Sequence, residues 1–105
     1  MITERLTFRA KYGHGDELVA LMKETFSGDL FPTEGLRSAR VYTDATGPMF
    51  TVAVEMDFDD LVAWTRLAAG DPGVFGSAQF QQWFARMMAV TETGERQLYN
   101  MEVTR

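Results

Sequence analysis

The chain has 105 residues, of which 46% are hydrophobic and 24% charged, with a net charge of -5 and a pI near 4.7. A chain of this length has room for one domain, residues 1–105, hiding roughly two thirds of its unfolded surface. It contains no cysteine, which excludes disulfides, thiolate metal sites and cysteine nucleophiles. The acidic balance opposes nucleic acid, whose affinity rests on cations neutralising phosphates. No stretch approaches the roughly 20 apolar residues of a membrane span. The opening Met-Ile-Thr-Glu-Arg-Leu lacks the basic and then apolar layout of a secretory signal, so a cytoplasmic location is expected.

Ile2, Leu6, Phe8 and Ala10 alternate with Thr3, Arg5, Thr7, Arg9 and Lys11, predicting a first strand with one buried and one cationic face. Glu4 is the single misfit on the oily side. Tyr12-Gly13-His14-Gly15 breaks the pattern, and Asp16 is placed to cap a helix. Leu18, Leu21, Met22, Thr25 and Phe26 follow as the stripe an amphipathic helix lays on a sheet. Gly28 should end it. The loop Asp29 to Gly35 carries Leu30, Phe31 and Pro32, more apolar than a solvent turn requires, and is expected to fold back over the body.

Leu36 to Thr43 reads as a second strand. Arg37, Ala39, Val41 and Thr43 lie on one face, Leu36, Ser38, Arg40 and Tyr42 on the other, and the pattern leaves open which face is buried. Asp44-Ala45-Thr46-Gly47-Pro48 predicts a hairpin to a third strand, Phe50 to Phe58. There Phe50, Val52, Val54, Met56 and Phe58 recur at every second position, the period of a strand. Asp57 or Asp59 can cap a second helix with Leu61, Trp64, Thr65 and Ala68 inward, and Gly70-Asp71-Pro72-Gly73 stops it. With Ser77 as its cap, a third helix carries a wider stripe of Phe80, Trp83, Phe84, Met87 and Met88. Gly94 then turns the chain into a last strand, Glu95 to Val103.

The order predicts an α+β, ferredoxin-like β-α-β-β-α-(α)-β fold with a four-stranded antiparallel sheet, the first and third strands central and all helices on one side. The helix-free face then shows Arg5, Arg9, Lys11, Arg40, Tyr42, Thr51 and Glu55, with Tyr99 and Met101. This mixture suits a surface that meets a copy of itself, so a homodimer through the sheet face is expected. The RNA-binding variant of this topology needs aromatics on that face, but Phe8 and Phe50 fall on the other.

Four segments carry a family resemblance: Tyr-Gly-His-Gly-Asp-Glu-Leu opening the first helix, Val-Glu-Met-Asp-Phe-Asp-Asp-Leu opening the second, Asp71-Pro72, and Phe80-Gln-Gln-Trp83. With the element order, they make the chain similar to the dimeric α/β-barrel superfamily, to NIPSNAP-like proteins within it and more distantly to antibiotic-biosynthesis-type monooxygenases. The resemblance implies two sheets packed face to face across a dimer, with a pocket in each subunit between sheet and helices. Families of this shape include cofactor-free oxygenases, haem-degrading enzymes, isomerases and members without assigned activity. Haem is poorly supported here, because the third helix carries no histidine where the related haem-degrading proteins hold their iron. No cofactor is expected.

His14, the one histidine, lies beside a helix N-terminus where a base or an anion-sensing group can act; an exposed loop histidine is the plainer reading. It makes no metal site alone. Trp64, Phe80, Trp83, Phe84, Met87 and Met88 can line a pocket for a flat apolar ligand, although at helical spacing such residues are more often plain core. Trp83 is the expected exception. Arg5, Arg9, Arg40 and Glu55 can hold a carboxylate, or more simply pair with one another. Asp57, Asp59 and Asp60 resemble paired carboxylates, or simply complement a helix dipole.

The expected function is therefore a NIPSNAP-like homodimer binding a small apolar or aromatic molecule between sheet and helices. A cofactor-independent monooxygenase or isomerase is the competing expectation, with Trp64, Trp83 and Tyr42 around the pocket and His14 or Arg9 as polar catalytic helper. A non-catalytic interaction module is the third. A hollow under the third helix favours the enzyme; Trp83 and Phe84 filling that space would oppose it.

Overall fold

The computed structural model describes residues 1–27, 30, 34–70 and 72–105. Its elements run β1 (Ile2–Ala10), α1 (Gly15–Ser27), β2 (Leu36–Thr43), β3 (Thr51–Phe58), α2 (Leu61–Ala69), α3 (Pro72–Phe75), α4 (Ala78–Val90) and β4 (Thr91–Asn100). The four strands form one antiparallel sheet in the order β2-β3-β1-β4, which is the ferredoxin-like topology expected from the sequence. The expected helix stop at Gly28, Phe31-Pro32 and Asp71 lie outside the described residues. Among the described residues no helix is long and apolar enough to cross a membrane.

The core forms where period-two strands meet period-3.6 helices. Val52, Val54, Met56 and Phe58 of β3 are buried, together with Leu18, Leu21 and Met22 of α1 and Phe80, Trp83 and Val90 of α4. Each such side chain contributes about 1.5–3 kcal/mol through burial. Leu30 joins them, so the apolar loop does fold inward at that residue.

Several local expectations shift, each for a physical reason. Phe50 lies outside β3 with a φ of 64°, its ring edge-on to Tyr12 at 5.1 Å. In β2 the pairing slips between Leu36 and Ser38, so Leu36 joins Ala39 and Val41 on the core side while Ser38, Arg40 and Tyr42 face away. The two-faced reading of this strand is resolved by that bulge.

Asp16 lies inside the first turn of α1 rather than capping it, since the His14 carbonyl already accepts from Leu18 N. Neither Asp57 nor Asp59 caps α2: Asp60 does, accepting from Ala63 N at 2.9 Å, because Asp57 is held on the sheet and Asp59 pairs with Arg37. The inward side of α2 is Ala63, Trp64 and Leu67, with Leu61 and Thr65 exposed. Ser77 caps α4 as expected, accepting from Phe80 N at 3.1 Å. Its buried stripe is narrower than expected, for Phe84 and Met88 are exposed.

Gly94 does not turn the chain but sits within β4, opposite Phe8. A Cβ there would lie 2.9 Å from the Phe8 ring, so a glycine lets the aromatic lie flat across the strand. On β4, Gly94, Arg96 and Leu98 share the helix-side face with Phe8, Leu6 and Glu4.

Candidate functional site

Between the sheet and the helices lies a cavity of about 430 Å³. Leu6, Phe8, Val54 and Met56 form its floor, Met22 and Phe26 of α1, Leu67 of α2 and Trp83 of α4 its walls, and Phe75 of α3 closes one side. This size falls within the roughly 300–1,000 Å³ of ordinary ligand clefts. The hollow under the third long helix is therefore present. Trp83 walls it rather than filling it, and Phe84 points elsewhere.

Trp83 keeps its position because its Nε1 donates to the Leu21 carbonyl of α1 at 2.9 Å, tying two helices together over the cavity. Phe80 is packed behind it, 4.8 Å from Phe75 and 5.8 Å from Phe84, in the core and not in the lining. Met87 is half-buried against the same core. Trp64 also stands behind the lining and reaches the cavity through a polar contact.

That contact involves Glu4, the misfit of β1. Its side chain is 6% exposed, and Oε2 accepts from Trp64 Nε1 at 2.5 Å and pairs with Arg96 Nε at 3.6 Å. Arg96, 61% exposed, stands at the rim. Thr25, the other buried polar group in the lining, donates its hydroxyl hydrogen to the Met22 carbonyl at 2.6 Å. The cavity is thus apolar with one acidic end. No cluster of histidine, aspartate and glutamate suited to a metal occurs among the described residues.

The remaining sequence-predicted residues are elsewhere. His14 is exposed before α1, its Nδ1 3.1 Å from Glu17 Oε1. Arg9 is exposed on the helix-free face, opposite Thr51 and Thr93. Tyr42 is exposed on that same face, beside Glu55. None of these three borders the cavity. Conversely, Glu4, Arg96, Phe8, Met22 and Met56 do, and were not singled out from the sequence as pocket residues. The one available signal was an acid where the alternation of β1 demands an apolar residue.

The helix-free face holds a network within the chain. Arg40 grips Asp57 with two nitrogens, Nη1 to Oδ2 at 2.8 Å and Nη2 to Oδ1 at 3.1 Å, while Thr3 and Ser38 also donate to Asp57. Arg5 donates to Glu55 Oε2 at 2.8 and 2.5 Å. Hydrogen bonding from Arg40 holds the Asp57 carboxyl far below the usual carboxylate range, against the opposing effect of burial. Burial pushes Glu55 up, but donors on Arg5, Tyr42 and Arg40 outweigh it and leave it lowered. Arg5, Arg40 and Glu55 thus pair with one another and with Asp57 rather than standing free to take a substrate.

No family model matches the chain, and no curated protein matches it. Solved structures do. A NIPSNAP domain protein from Burkholderia xenovorans superposes with a TM-score of 0.73 at 21% identity, covering 96% of this chain and 94% of that one. SnoaB, a cofactor-independent oxygenase from Streptomyces nogalater, gives 0.69 at 16%, covering 98% and 94%. A protein from Chloroflexus aurantiacus described as a putative antibiotic biosynthesis monooxygenase gives 0.70 at 16%, covering 100% and 97%. The resemblance read from the sequence therefore holds for the fold, over nearly the whole length of each chain.

Proposed function

We propose that the protein binds a small, mainly apolar or aromatic molecule in the cavity between sheet and helices, as a homodimer joined through its helix-free sheet face. The observation that carries the binding half is the cavity itself, apolar on most of its lining and bordered by Trp83. An unfilled apolar hollow of this size forfeits packing contacts, which a bound apolar molecule would restore. A cytoplasmic location suits a chain without cysteine.

The dimer half rests on the opposite face. Arg5, Arg40, Glu55 and Asp57 on it are paired within the chain, while Tyr42 and Tyr99, each 46% exposed, lie among them on a broad surface without helices. Tyrosines with neutralised neighbours are the composition of an interface.

Tryptophan fluorescence tests the first half during titration with naphthalene, since Trp83 lines the space. Ala68→Trp, at the cavity edge on α2, should fill it and abolish the response in a protein that melts normally. Undiminished binding by that variant refutes the assignment. Light scattering tests the second half: the wild-type chain should be dimeric at micromolar concentration, and Tyr42→Glu with Tyr99→Glu should make it monomeric.

The cofactor-independent oxygenase reading is supported by the likeness to SnoaB and by the one carboxyl that, among the described residues, lines a mainly apolar space. Oxygen consumption with a bound aromatic, in the absence of metal or flavin, distinguishes it from binding alone.

A further inference from the structure

The acidic end of the cavity has one oxygen to spare. Trp64 and Arg96 both address Oε2 of Glu4, and among the described residues no donor reaches Oε1. No buried side-chain polar atom is left without a partner among those residues, so Oε1 meets open space. The side chain is otherwise enclosed and lines the cavity, which makes that space the cavity's interior. Elsewhere in the lining, the Thr25 hydroxyl has already given its hydrogen to the Met22 carbonyl. Both buried polar groups of the lining are consequently acceptors with capacity left and no hydrogen to offer.

We propose that Glu4 selects the ligand: the cavity takes an apolar molecule bearing a neutral hydrogen-bond donor, a hydroxyl or N–H, which donates to Glu4 Oε1. This deepens the ligand-binding reading above and rests on it. A carboxylate ligand is disfavoured, because it brings a second negative charge and no hydrogen to an enclosed acceptor. A cation is disfavoured as well, since Arg96 already compensates Glu4. Trp64 is a positioning residue in this arrangement. By occupying Oε2 it holds the carboxyl plane so that Oε1 points inward, which a glutamate free to rotate would not do.

Three probes with one aromatic body test this by titration: naphthalene, 2-naphthol and 2-naphthoate, each against the wild-type chain and Glu4→Gln. A hydrogen bond to a charged acceptor should make wild-type protein bind 2-naphthol roughly tenfold or more tightly than naphthalene. Naphthoate should bind no better than naphthalene. In Glu4→Gln the advantage of naphthol should shrink severalfold and naphthoate should gain. If that variant does not fold, the wild-type ranking by itself decides.

Equal binding of naphthol and naphthalene overturns the role of Glu4 while leaving the cavity assignment intact. Tightest binding of naphthoate also overturns it, and would put Arg96 in charge at the rim. If none of the three binds, the cavity assignment fails and this inference falls with it.

Discussion

Glu4 and Trp64 are sixty residues apart in the chain, and the indole Nε1 of Trp64 donates to Oε2 of Glu4 at 2.5 Å. The contact joins a central strand to the helix that follows β3 and sets a carboxyl at one end of an apolar space. It answers the question posed by an acid on the buried side of β1. An enclosed carboxyl is tolerated only with a donor or a compensating charge near it; here α2 supplies the indole N–H and β4 the Arg96 guanidinium 3.6 Å away.

Removing the donor should therefore cost more than the lost ring area. Trp64→Phe leaves Glu4 with Arg96 alone, and a lost hydrogen bond to a buried charged group is worth about 1.5–3 kcal/mol. A melting temperature lower by roughly 6–20 °C is expected from that loss. Glu4→Met combined with Trp64→Phe should be less destabilised than the sum of the single changes, because neither polar group is then left unpaired. Strict additivity in thermal melts would show that the contact contributes nothing.

Acid should attack the helix-free face first. Asp57 and Glu55 are both held below their ordinary values of 3.8 and 4.5, so each contributes stability that is complete above those values and is lost as pH falls through and below them. Arg40→Ala leaves Asp57 with Thr3 and Ser38 but without its guanidinium. It should cost about 1–3 kcal/mol near neutral pH, discounted because Arg40 is partly exposed. That deficit should narrow below pH 4, because there the unfolded chain takes up a proton that native wild-type Asp57, held by Arg40, still refuses. Denaturant melts from pH 7 to pH 3 check this; a constant deficit would refute the coupling.

Gly35 controls how closely α2 approaches the sheet. Its φ is 81°, and a Cβ there would lie 2.6 Å from the Cβ of Ala63, a buried residue of α2. Gly35→Ala should destabilise by about 1–3 kcal/mol, combining left-handed backbone strain with a clash that backbone movement must relieve. Ala63→Gly in the same chain removes the clash but not the strain, and should restore only part of the loss. Full recovery in chemical denaturation would assign the whole effect to sterics.

Much of the fold was legible because its signals are local. Period-two alternation marked β1 and β3, the 3.6-residue stripe of Leu18, Leu21 and Met22 marked α1, and Ser77 announced α4. These patterns depend on which way successive side chains point within one element, and an element's own residues set that. The order of elements then left few topologies, and the central place of β1 and β3 followed.

What the tertiary structure alone decided depends on partners distant in sequence. The bulge that turns Leu36 inward is a mismatch of register with β3, invisible in β2 by itself. Which of three neighbouring aspartates caps α2 was settled by Arg40 and Arg37 claiming the other two. Glu4 could be recognised as out of place from its own strand. Its role could not, because the indole, the guanidinium and the hollow that give it one come from α2, β4 and the spacing of helices above the sheet. Alternation within a strand reports which side faces the core. Only packing determines whether that core leaves a space beside a given residue.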